Sequence, residues 1–338
     1  MNINVCLKEL SEAEGVSGAE DAAARTALEY LKKYTADCFI KNGNVIANFG
    51  SRSNEALHVL IDAHIDQVGL IVTYVGEDGF LNVGNVGGID RRLLPGQHVI
   101  IHGRKYVTGT ICSVPPHLSG GKKGEVPEID KFTIDTGLSQ QKASEIIAPG
   151  DRISFDIKYR EMLGGRVTCK ALDDRSGAAS IIYALELLKN EKIKCSYTVL
   201  FSTQEELGER GAKIAAYDID PDIALAVDVS FGYTDGESEY ECGKLGKGPM
   251  IGISPSLSGE ISRSLISIAE KCGIPYQTEV MNGLTSTNAD QFSVNRCGCK
   301  ACTVSIPLRY MHTPVEVIDI QDVKNTGKLI AEYIKEAY

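Results

Sequence analysis

A chain of 338 residues, 43% hydrophobic and 24% charged, has the length for one large domain or two and the composition of a globular enzyme, not of a disordered or fibrous protein. The formal charge of −10 comes without any basic cluster dense enough to follow a phosphate backbone, so a nucleic-acid partner is not expected. No apolar run approaches the roughly 20 residues of a membrane span, and the start MNINVCLKELSEAEG lacks the basic-then-apolar order of a secretory signal, so no membrane partner and a cytoplasmic location are expected.

Ser17-Gly18-Ala19-Glu20 has capping-box spacing, which predicts an Ala/Leu-rich helix from there to about residue 34. Residues 38–47 read as a hairpin around Asn42-Gly43, the preferred type I′ pair. The apolar run 57–61 predicts a buried strand ending at Ala63-His64-Ile65-Asp66. From 68 to about 167 the texture changes. Short alternating runs at 69–74, 98–102, 105–112 and 153–159 are broken by Asp78-Gly79, Gly87-Gly88, Pro95-Gly96 and Pro149-Gly150, with one helix near 139–146. Such a stretch predicts a small inserted β-barrel-like domain, with the Gly-rich segment 119–124 as a surface loop.

After Arg166 strand and helix alternate: helix 176–190, strand 197–201, helix 209–217, strand 223–227, helix 260–272, strand 276–280, a polar loop 282–290, strand 301–306 and a last helix from Ile320. This rhythm predicts an α/β fold with a mostly parallel central sheet covered by helices on both faces. The expected division is 1–67 and 167–338 for the larger domain and 68–166 for the insertion.

Metal-ligand residue types recur where these strands end: His64 and Asp66 in LIDAHIDQVG, Asp173 and Asp174 in KALDDRSG, Glu205 and Glu206 in STQEELGERGA, Asp228 in LAVDVS, and His312 in LRYMHTPVE. Imidazoles and carboxylates drawn from separate strand ends are the ligand set of a hydrolytic zinc, cobalt or manganese site, and open α/β folds keep their chemistry at that edge. Each residue also has a plainer reading. Glu205 and Glu206 suit a helix N-terminus, Asp173 and Asp228 can act as caps, and His64 and His312 can be ordinary polar residues. His58, His98, His102 and His117 match no motif and are read as surface or packing residues.

AHIDQVG, ALDDRSG, TQEELGERGA, AVDVS and RYMHTPVE, in this order, resemble the M42 family of metallo-aminopeptidases, the glutamyl and tetrahedral aminopeptidases sometimes labelled endoglucanases. The resemblance runs over nearly the whole chain and implies a zinc-peptidase-like fold with two divalent metal ions per subunit. His64 and Asp228 would serve one ion, Glu206 and His312 the other, and Asp173 both. Glu205 would be the general base and Asp66 would hold the His64 imidazole, with a cis Asp173-Asp174 peptide. In that setting a free carboxylate takes a proton from water and returns it to the leaving amine.

The resemblance further implies short peptides with a free N-terminus as substrates and a homo-oligomer, in many members a tetrahedral dodecamer built through the inserted domain. Two departures bear on specificity: Gln67 stands where glutamate is common, and Thr287-Asn288-Ala289-Asp290 carries asparagine where an acid is common. Asn288 and Asp290 are therefore candidates for substrate contact. A deacylase acting on acylated amino acids and an inactive scaffold are the alternatives; a glycosidase fits poorly, because its two carboxylates would have to be free of metal. Among ten cysteines, only Cys297, Cys299 and Cys302 have ligand-like spacing, and strand packing is the expected role. The acidic loop Asp235, Glu237 and Glu239 reads as a solvated face.

Overall fold

The computed structural model describes residues 1–52, 56–113 and 126–337; the segment 119–124 and His117 lie outside them. Two helices, α1 (Ile3–Glu12) and α2 (Asp21–Leu31), precede strands β1 (Cys38–Lys41), β2 (Asn44–Phe49) and β3 (His58–His64). Next come β4 (Gly69–Val75), β5 (Leu81–Val86), β6 (His98–His102), β7 (Tyr106–Ile111), β8 (Thr133–Asp135), helix α3 (Gln140–Ile146) and β9 (Arg152–Phe155). The chain continues through β10 (Arg160–Glu161), β11 (Arg166–Cys169), α4 (Leu172–Leu188), β12 (Ser196–Ser202), α5 (Arg210–Ile219) and β13 (Ile223–Phe231). It finishes with β14 (Met250–Ile253), α6 (Gly259–Cys272), β15 (Gln277–Val280), α7 (Ala289–Ser293), β16 (Lys300–Leu308), β17 (Glu316–Asp319) and α8 (Ile320–Glu336).

Eight strands form one sheet in the order β1-β2-β12-β3-β13-β16-β14-β15. Its centre, β12-β3-β13-β16, is parallel throughout, while β1, β2 and β14 join with antiparallel pairings. Side chains alternate faces along a strand, and the two cores record that alternation. Val59, Ile61, Val199, Phe201, Leu225 and Val227 pack with α1, α2, α4 and α8 in the larger core. Leu60, Leu200, Ala224 and Ala226 face α5 and α7 in a smaller one. On this second face the apolar positions give way toward the carboxyl ends, where Leu60 is followed in phase by Asp62 and His64, and Ala226 by Asp228.

Strands β4 to β9 close into a barrel, ordered β4-β5-β8-β7-β6-β9, around Leu70, Leu81, Val99, Ile101, Ile134 and Phe155. The alternating runs foretold four of these six strands. The other two escape a periodicity reading: 81–86 has Gly84 and Asn85 inside its alternation, and 133–135 spans three residues.

One expectation needs correction, and one helix was not anticipated. The capping box does not form: α2 starts at Asp21, and Glu20 Oε1 accepts the Gly18 N–H at 2.6 Å. Ser17 turns to the sheet instead, its hydroxyl donating to Asp66 Oδ2 at 2.6 Å. The amino terminus is helical from Ile3, capped by Asn2, whose side chain accepts from the Asn4 and Val5 N–H groups; Ile3, Leu7 and Leu10 repeat at helical spacing and are buried. The strand expected to end at Ala63-His64-Ile65-Asp66 does end there, β3 stopping at His64, with Asp62 and His64 in the same phase as Leu60.

Candidate metal centre

Parallel register puts His64 beside Ser202 at the carboxyl ends of β3 and β12. Beyond Ser202 the chain makes a tight 3-10 turn, Glu205–Leu207, entered through Gln204 at φ 54° and left through Gly208 at φ 96°. These left-handed residues reverse the chain within one turn, so both glutamates stay next to the strand end. Asp173 and Asp174 open α4 with non-helical backbone and a cis peptide between them. His312, at φ 60°, follows the end of β16.

His64, Asp173, Glu205, Glu206, Asp228 and His312 converge, in three overlapping groups whose donor atoms lie within 4.8 Å of one another. His64, Asp173 and Glu206 each belong to two of the three groups. Asp173 Oδ1 is 2.9 Å from His64 Nε2, and its Oδ2 is 3.4 Å from His312 Nε2. Asp228 Oδ1 approaches His64 Nε2 at 3.9 Å and Glu206 Oε1 approaches His312 Nε2 at 3.4 Å.

Asp66 lies just outside this cluster and is fully buried. His64 Nδ1 has the Asp66 carbonyl at 3.2 Å and the Asp66 carboxylate at 3.5 Å. The carboxylate accepts the Glu205 N–H at 2.9 Å, the Glu206 N–H at 3.2 Å and the Ser17 hydroxyl. Its second function is therefore to hold the glutamate turn. Ser17 and Glu316 were not foreseen as contributors. Glu316 accepts the N–H of Asp173 with one oxygen and that of His312 with the other; it is the last residue of the RYMHTPVE motif, whose histidine alone was read as functional.

The electrostatics are those of crowded acids. Burial lifts Glu205 to about 9, with His64 opposing and Asp228 and Glu206 adding repulsion. Burial likewise carries Asp228 to about 8, relieved in part by His64 and reinforced by Asp173. For Asp173 burial also pushes upward, but the hydrogen bonds from His312 and His64 outweigh it and hold the carboxyl below its usual range. Burial depresses His312, yet Asp173 and Glu206 together drive it up to about 11. Asp174 Oδ2 is buried with no hydrogen-bond partner. Four carboxylates and two imidazoles packed this closely call for positive charge, and their oxygen and nitrogen donors suit divalent cations of the zinc, cobalt and manganese type.

Asn288 and Asp290 stand apart from the cluster. Asn288 is buried, its Nδ2 donating to Asp62 Oδ2 at 2.7 Å and Ser202 Oγ at 2.8 Å. The Asp290 carboxylate accepts the Thr285 and Ser286 N–H groups and so shapes the loop before it. Asp235, Glu237 and Glu239 are exposed. Cys302 is buried in β16, and burial pushes the Cys299 thiol up to about 12; among the described residues neither joins a converging ligand group. A cavity of about 500 Å³ opens between Arg92 and Leu93 on the barrel side and Phe231, Leu308 and Met311 on the sheet side; its lining includes Met311 and Thr313, on either side of His312, but none of the six cluster residues.

A buried imidazole–carboxylate cluster at the carboxyl edge of an α/β sheet with an inserted barrel is the arrangement of a peptidase-type hydrolase. The chain belongs to the M42 family: residues 43–329 match M42 glutamyl aminopeptidase, and M42 peptidases depend on metal. It is 33% identical to a lysyl aminopeptidase of Pyrococcus furiosus over 341 residues, covering 98% of this chain and 96% of that protein. A Desulfurococcus kamchatkensis aminopeptidase has the same fold with a TM-score of 0.92 and 35% identity, covering 99% of this chain and 95% of that one. The TET1 peptidase of Pyrococcus horikoshii, which can assemble into a tetrahedron or a large octahedral shell, gives 0.87 and 32% over 99% and 100% of the two chains.

Proposed function

We propose that the chain is a dinuclear aminopeptidase of the cytoplasm that removes the N-terminal residue from short peptides, with Glu205 as the general base. The observation that carries the two-ion reading is the division of Asp173: Oδ1 faces His64 and Oδ2 faces His312. His64 and Asp228 would hold one zinc, cobalt or manganese ion, Glu206 and His312 the other, with Asp173 common to both. Such ions, when bound, acidify water and stabilise developing negative charge on a scissile carbonyl.

Glu206, committed to its histidine partner, leaves Glu205 free to take a proton from the attacking water. Burial and neighbouring acids hold Glu205 high; positive charge beside it would bring it down into the range of a base near neutrality. Burial then favours return of the proton to the leaving amine. The cavity between barrel and sheet, lined in part by Met311 and Thr313 on either side of His312, has the volume for a peptide of a few residues. Residues 1–67 and 167–338 are taken as the catalytic domain and 68–166 as the barrel domain through which copies associate; association itself is supported by the shells of the P. horikoshii relative.

The test is hydrolysis of lysyl-, glutamyl- and leucyl-anilides and their N-acetylated counterparts by metal-reconstituted protein, with metal content and particle mass measured in parallel. Free-amine substrates turn over, blocked ones do not, and Glu205→Gln keeps its metal while losing about 10²–10⁴-fold in kcat. A two-metal protein that cleaves only blocked substrates would be a deacylase.

A further inference from the structure

We infer that Glu316 is a positioning residue that sets the two backbone segments carrying Asp173 and His312, and through them the second ion site of the dinuclear reading, on which the inference rests. Glu316 opens β17 opposite Cys169 of β11, so its side chain enters between the segment leading to Asp173 and the one leaving His312. Its Oε2 accepts the Asp173 N–H at 3.1 Å and its Oε1 accepts the His312 N–H at 3.1 Å, and the residue is 1% exposed.

Neither N–H has an alternative acceptor in regular structure. Asp173 lies in the first turn of α4, where N–H groups have no intrahelical partner and the backbone is non-helical. His312 is left-handed, at φ 60°, and lies outside the strands on either side of it. One carboxylate thus closes two otherwise unsatisfied donors. The distance between its two oxygens fixes how far apart the shared ligand and the terminal histidine sit.

Glutamine at this position keeps the volume and one acceptor, but turns an NH₂ group toward an N–H donor. One of the two segments must move. In the dinuclear reading His312 and Glu206 serve the second site, whereas His64 and Asp228 sit on β3 and β13, to which Glu316 makes no hydrogen bond. Loss of Glu316 should therefore weaken one ion far more than the other, which a residue that merely supports the fold would not do.

The experiment is calorimetric titration of metal-free wild type and Glu316→Gln with Co²⁺, with melting of both metal-free proteins. The second equivalent binds about 10–100-fold more weakly to E316Q, and the first changes by less than about 3-fold. An unchanged second equivalent, or equal weakening of both beside a lowered metal-free melting point, overturns the assignment. If wild type takes up a single equivalent, the two-ion reading fails by itself, and Glu316 is judged by whether E316Q weakens that one. Should E316Q not fold, residue-resolved hydrogen exchange on metal-free wild type decides: the Asp173 and His312 amides are protected, and fast exchange at either refutes the role.

Discussion

Asp66 accepts three hydrogen bonds with two oxygens, from the backbone of Glu205 and Glu206 and from the Ser17 hydroxyl. Burial raises its carboxyl, but His64, Ser17 and the Glu205 N–H outweigh that and keep it below the ordinary range, hence ionised. Replacing it with alanine would leave two N–H groups without their acceptor, at about 1–3 kcal/mol each, and release the turn on which base and ligand sit. Asp66→Ala is expected to lose about 10–100-fold in kcat and to bind metal less tightly; kcat with metal content after dialysis checks both. Ser17→Ala removes one of the three bonds and should cost about 1 kcal/mol of stability, read from denaturant melting, with a much smaller effect on turnover.

At the scale of elements, the glutamate turn is held from both sides. Asn44, at the start of β2, accepts the Thr203 N–H at 2.9 Å and donates to the Gly211 carbonyl at 3.1 Å, tying the exit of β12 to the first turn of α5. Gly211 is where the two backbones meet. A methyl group there would stand 2.3 Å from the Thr203 carbonyl oxygen and 2.5 Å from Asn44 Oδ1, and neither can retreat without breaking a hydrogen bond. Gly211→Ala is expected to cost about 1–3 kcal/mol, measured by denaturant unfolding, and to lower kcat because the shift reaches Glu205 six residues earlier. Equal stability of G211A and wild type would mean that α5 can slide away from the sheet.

Across the whole molecule, barrel and sheet are joined through Glu14, between α1 and α2. Its carboxylate lies 2.9 Å from Lys170 Nζ, just ahead of α4, and 3.6 Å from His102 Nε2 on barrel strand β6. Burial raises Glu14, but His102, Lys170 and Ser154 prevail and lower it to about 2. A folded-state value below the unfolded one stabilises above the ordinary glutamate range, and the contribution disappears as pH falls from about 4.5 to 2. It is on the order of 3 kcal/mol at neutrality. Glu14→Gln should therefore be less stable at pH 7 and lose less than wild type on acidification, seen as converging melting points between pH 5 and pH 3.

How much of this was legible beforehand follows from the range of each interaction. Alternation along a strand is local, so LIDAHIDQVG and LAVDVS already placed a ligand in phase with buried neighbours, and turn pairs such as Pro149-Gly150 already marked the barrel. The α/β rhythm and the identities of the acids and histidines were likewise written in short stretches. The pairing of Ser17 with Asp66, of Asn288 with Asp62 and of Glu316 with Asp173 joins residues 49, 226 and 143 apart, with no period to betray them. The capping box misled for the same reason, since Ser17 had a stronger partner across the sheet than in its own helix. By itself the sequence determined which side chains could hold metal. Only the tertiary structure decided that Asp173 faces both histidines and that Asp66 and Glu316 hold the backbone around them, because those arrangements arise where distant segments meet.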